Sequence, residues 1–135
     1  DRCRFAGKRP PAELPAFLAL AGVVASPRRK GVNTPFKVYT YLASGRPLLA
    51  TRIFSHTQIL DETSAWLVDA TPDAIAAGIR AVLAQPDEAA RRAAHGRALI
   101  DREYSPRRYA QKVEAAYAHI TEAAAQRRRA ASVQR

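Results

Sequence analysis

Short apolar runs alternate with helically spaced segments through the first half of the chain, the pattern of consecutive β-α-β units. Residues 2–6 read as a first strand and residues 13–21 as a helix, with Pro15 acceptable only in its first turn. Gly22 frees the chain for a short buried strand over 23–26, and a basic loop follows over 27–33. Thr34 is placed as an N-cap and Pro35 as the first helical residue, where no N–H donor is needed. That helix covers 36–43 and stops near Ser44 and Gly45. Residues 47–51 form the next strand, Ser55 caps a short helix over 56–60, and residues 65–68 form a last strand. From Pro72 onward the period is helical, with Ile75, Ile79, Val82 and Leu83 on one face. A second helix begins at Asp87 and reaches about Tyr104. Pro106 opens a third, with Tyr109, Val113, Tyr117 and Ile120 at steps of three to four.

Four strands joined by helices define an α/β protein: a doubly wound parallel sheet with flanking helices and a helical C-terminal end. Ligands of such sheets lie beyond the carboxyl ends of the strands. Residues 1–121 are expected to form one domain, and residues 122–135 a basic, disordered tail. The sequence holds no internal repeat.

At 135 residues, with 47% hydrophobic and 25% charged, the chain suits one globular domain and excludes a wholly disordered protein. No apolar run approaches the roughly 20 residues of a membrane span. Charge is more informative: 22 Lys and Arg against 12 Asp and Glu give a formal +10, which favours nucleotides, nucleic acid or acidic lipid headgroups. Residues 122–135 hold four Arg and one Glu, so the remainder keeps +7 and the excess is not confined to the tail. The one cysteine, Cys3, makes neither an internal disulfide nor a metal site by itself, which fits a reducing cytoplasm. The sequence starts at Asp1 and contains no Met, so it is expected to be a piece of a longer protein.

The segment after the second strand has the physics of a phosphate site. Free N–H groups at a helix start, here those of Phe36 and Lys37, point out where the helix dipole is positive. Arg28, Arg29 and Lys30 in the preceding loop add cations. Lys37, Thr40, Tyr41 and Ser44 fall at helical steps, and Thr40 lies roughly 6 Å along the axis from Phe36. The same residues fit a capped surface helix beside a solvated basic loop, and pattern alone does not choose between the two.

The run Ser26-Pro27-Arg28-x-x-Gly31-x-Asn33-Thr34-Pro35-Phe36-Lys37-Val38-Tyr39-x-Tyr41-Leu42-Ala43-Ser44-Gly45-Arg46-Pro47-Leu48-Leu49-Ala50-Thr51 resembles the donor-binding stretch of glycosyltransferase family 4 (group 1). The likeness continues through His56-Thr57-Gln58-Ile59-Leu60, Trp66-Leu67-Val68 and the helices to about Ile120. It implies the C-terminal, Rossmann-like domain of a GT-B architecture, and retaining transfer from a nucleoside-diphosphate sugar with no metal and no cofactor. The donor-binding residues it implies are Arg28, Gly31, Asn33, Thr34, Pro35, Phe36, Lys37, Thr40, His56 and Thr57; no catalytic residue is assigned. It further implies that an N-terminal acceptor domain and the upstream part of the C-terminal domain belong to the same protein, so that the fragment alone is inactive. Two positions depart from many relatives: Thr40 stands where a ribose-holding Glu is usual, and Gln58 replaces another Glu. Losing a charge-assisted hydrogen bond of the first kind costs about 1.5–3 kcal/mol.

Other polar residues carry less. His95 and His119 have no spaced partners for a metal, and Ser26, Ser55 and Ser105 lack a nucleophile-elbow context. His56 is placed either lining the cleft near the sugar or on the surface at a helix start. The alternative function is a non-catalytic module for anions or nucleic acid. Nucleic acid is disfavoured because the sequence shows no stacking platform or reading helix. The Arg127-Arg128-Arg129 tail raises peripheral docking on the inner face of an acidic membrane, against a solvated end.

Overall fold

The computed structural model describes the backbone of residues 3–133 and the side chains of residues 3–125. The chain divides into two compact units after Ile100.

The first unit holds a three-stranded parallel sheet, β1 (Val24–Ser26), β2 (Leu48–Thr51) and β3 (Trp66–Val68), in the order β1-β2-β3. Val24 pairs with Leu48 and Leu49 with Trp66. α1 (Leu14–Leu20) precedes β1, α2 (Phe36–Ala43) and the short α3 (Phe54–Thr57) connect the strands, and α4 (Pro72–Ala84) and α5 (Pro86–Leu99) follow β3. Every residue of β2 is buried, as a central parallel strand covered on both faces requires. Alternate residues serve opposite faces. Leu48 and Ala50 join Val38, Leu42, Leu60 and Ala65 in one cluster, while Leu49 joins Trp66, Val82 and Ala89 in another.

Two helical glycines let the layers close. A Cβ on Gly78 would lie 2.6 Å from Leu49 Cδ1, and one on Gly96 would lie 2.6 Å from Leu42 Cδ2. Thr71 caps α4 through its side-chain oxygen, and Arg92 spreads over the Trp66 ring at 4.1 Å while bonding Glu88 and the Ala65 carbonyl.

The second unit contains most of the π-helical turn Ile100–Tyr104 and the 28-residue α6 (Pro106–Val133). Ser105 Oγ accepts from Arg108 N at 3.3 Å, and Pro106 takes the first helical position, as the sequence pattern requires. Among the described residues no helix is long and apolar enough to cross a membrane.

Three expectations are corrected. Residues 3–6 form no strand; Phe5 is 93% exposed, so a β-like composition found no sheet edge or core to join. Residues 122–133, expected to be disordered, have helical backbone continuous with α6; their alanines carry the highest helix propensity. Ser55 lies inside α3, whose N-cap is Ile53, and that helix ends before Leu60.

Candidate functional site

Residues 27–35 leave the carboxyl end of β1, where an open parallel sheet presents its ligand crevice. The loop delivers the chain to α2 through Pro35, whose extended ψ of 128° makes it the N-cap. Thr34 is not the cap that the pattern predicted. Its hydroxyl donates instead to Gln58 Oε1 at 2.9 Å, which shifts the helix start by one residue. Val38 N bonds Pro35 O, so the amides of Phe36 and Lys37 open the helix at its positive end. Pro27, Arg28, Pro35 and Lys37 line an open cavity of about 360 Å³ beside this helix start.

Arg28 braces the loop. Its Nη1 donates to Asn33 O at 3.1 Å, and its guanidinium lies across Gly31. A Cβ at Gly31 would sit 2.6 Å from Arg28 Cζ, and Gly31 has a φ of 153° that side chains rarely adopt. Arg28 O in turn accepts from Thr51 Oγ1, the last residue of β2.

His56 is fully buried, which corrects its placement on the cleft wall or the surface. Its Nδ1 lies 2.7 Å from Thr51 O and its Nε2 lies 2.9 Å from Ser26 Oγ. A carbonyl only accepts, so Nδ1 carries the proton and Nε2 accepts from Ser26. Burial holds the imidazole below its ordinary pKa, outweighing the bond to Thr51, with Lys37 and Arg28 adding repulsion. With both ring nitrogens engaged, His56 fixes the strand ends beneath the loop and has no nitrogen left for a ligand.

The remaining residues separate. Lys37 Nζ stands 6.0 Å over the Tyr41 ring, and the exposed Phe36 ring packs 6.1 Å from Tyr39. Thr40 lies elsewhere, in a groove of about 440 Å³ between α1 and α2, with Leu14, Leu18, Ser44 and Arg46. Thr57 Oγ1 turns back to the carbonyls of Ile53 and Phe54 and is not brought to the loop. Among the described residues no group of His, Cys, Asp and Glu could hold a metal ion.

A family model described as glycosyl transferase-like matches residues 1–115. The chain belongs to that family. Solved structures agree in fold with this glycosyl transferase-like chain. Sucrose-phosphate synthase from Thermosynechococcus elongatus superposes with a TM-score of 0.76 at 20% identity, over 89% of this chain and 30% of that one. Anabaena HepE, in complex with UDP, gives 0.74 at 14% identity, over 80% and 30%. The C-terminal domain of the group 1 glycosyl transferase LpcC from Francisella tularensis gives 0.65 at 17%, over 76% and 53%. The chain thus spans under a third of the first two proteins and about half of the third. No curated protein matches it in sequence. The shared fold is the Rossmann-like C-terminal part of the GT-B architecture.

Sequence reasoning on this glycosyl transferase-like chain missed Ser26 and Thr51 as part of the site. Both are polar residues closing apolar strands, and both are fully buried. A hydroxyl at the carboxyl end of a parallel strand was the signal available in the sequence.

Proposed function

We propose that the cavity at the start of α2 receives the diphosphate of a nucleoside-diphosphate sugar, as the donor half of a retaining glycosyltransferase. The observation that carries this reading is the convergence of Arg28, Lys37 and the first amides of α2 on one cavity beyond β1. Amide donors and fixed cations there would stabilise charge that grows on the departing diphosphate, the role that a metal plays in other transferases. Thr40 lies in the separate groove toward α1; if the nucleoside extended that far, one hydroxyl would offer it less than a carboxylate. The acceptor would be held by another domain of the same protein. Family membership and the UDP bound to Anabaena HepE support the reading.

Calorimetric titration with UDP, GDP and ADP tests it. One nucleotide should bind in preference, and Lys37→Ala should weaken it about tenfold or more, the worth of one charge-assisted contact. Equal binding of all three, indifferent to Lys37→Ala and Arg28→Ala and collapsing steeply with salt, would overturn the assignment in favour of a general polyanion surface.

A further inference from the structure

Gln58, just past α3, reaches across to the phosphate loop. Its Nε2 donates to Val32 O at 2.7 Å, and its Oε1 accepts from Thr34 Oγ1 at 2.9 Å. One side chain therefore grips the loop on both sides of Asn33. Two residues earlier, His56 anchors Thr51, and Thr51 Oγ1 holds the Arg28 carbonyl. The loop is fastened near its start from β2, near its end from Gln58, and internally by Arg28 on Asn33. A neutral amide satisfies both partners at position 58, because one end donates to a carbonyl while the other accepts from a hydroxyl. A carboxylate there would turn oxygen lone pairs toward Val32 O.

We propose that Gln58 is a positioning residue of the donor site: its amide fixes residues 32–34, so that the α2 amides and Lys37 are set before a ligand arrives. The gain is preorganisation, since a loop already ordered loses less freedom on binding. The ligand rests on the donor-site reading above, whereas the clasp can be tested with no nucleotide present.

The test compares wild type, Gln58→Ala and Gln58→Glu as full chains, by amide hydrogen exchange and by titration with UDP, GDP and ADP. In Gln58→Ala, exchange at Val38, whose amide bonds Pro35 O where the loop meets α2, should quicken about three- to tenfold while β2, α4 and the thermal midpoint stay as in wild type. Affinity for the preferred nucleotide should fall by a similar factor. Gln58→Glu should lose affinity at neutral pH and regain it, relative to wild type, as pH falls through the carboxylic-acid range, because the protonated acid again donates. Unchanged exchange at Val38 in Gln58→Ala overturns the proposal, as does wild-type affinity in that variant. A defect confined to Gln58→Glu is charge repulsion of the ligand and also overturns it. Failure of wild type to bind any of the three nucleotides sinks the donor reading, while the exchange result still decides the clasp.

Discussion

Replacing His56 with Phe should cost the chain about 1.5–4.5 kcal/mol of unfolding free energy, a sum that follows from the partners left behind. The imidazole bonds Ser26 Oγ at 2.9 Å through Nε2 and Thr51 O at 2.7 Å through Nδ1, which also makes a longer contact to Thr51 Oγ1 at 3.3 Å. The Thr51 carbonyl keeps a bond from Ile53 N at 2.9 Å, so only the bond itself is lost there, about 0.5–1.5 kcal/mol. Ser26 is fully buried, and losing its imidazole partner costs about 1–3 kcal/mol. Urea unfolding followed by Trp66 fluorescence measures the total; Trp66 is the single tryptophan. Adding Ser26→Ala to His56→Phe removes the orphaned hydroxyl and should restore about 1–2 kcal/mol, a coupling that a double-mutant cycle isolates. A penalty under about 1 kcal/mol, or strict additivity of the two changes, would refute the network.

The same histidine sets a pH dependence. Its folded pKa lies below the ordinary 6.5, so the unfolded chain binds more protons and stability rises with pH in that window. Wild type should therefore weaken as pH drops below about 6.5, and His56→Phe should lack that part of the slope; parallel profiles would exclude His56 as the cause. Ser55 Oγ is buried without a hydrogen-bond partner among the described residues, so Ser55→Ala should leave stability unchanged or raise it by about 1 kcal/mol in thermal unfolding. Gly96→Ala should cost about 1–2 kcal/mol despite the better helix former, because the new methyl meets Leu42 Cδ2 at 2.6 Å and the unyielding Ser64 carbonyl at 3.3 Å; a gain in melting temperature would contradict the packing. Arg92→Lys should lose about 1 kcal/mol and alter Trp66 emission, since an ammonium cannot stack on the ring and fork to Glu88 and Ala65 O together.

Much of the sheet was legible because glycine and proline punctuate it. Gly22, Gly45 and Pro47 bracket apolar runs too short for helices, and the three strands of the structure fall inside the predicted ones. The failed strand at residues 3–6 had the right composition but no neighbour, and pairing is a tertiary fact. The donor loop and its helix start were readable because anion-ready helix ends are local features. The polar layer beneath was not, since Ser26 and His56 meet across a sequence separation of thirty and neither is unusual alone. Gln58 was visible only as a departure from relatives; its two bonds to the loop supply the reason an amide suits that place.

The order β1-β2-β3 also governs how the sheet can assemble. Each strand pairs with the next one in the chain, at separations of 24 residues for Val24 with Leu48 and 17 for Leu49 with Trp66. Closing loops of that length is entropically mild, and β2 can recruit either neighbour first. Either pairing can therefore form first, and the shorter loop between β2 and β3 gives that route a slight entropic advantage.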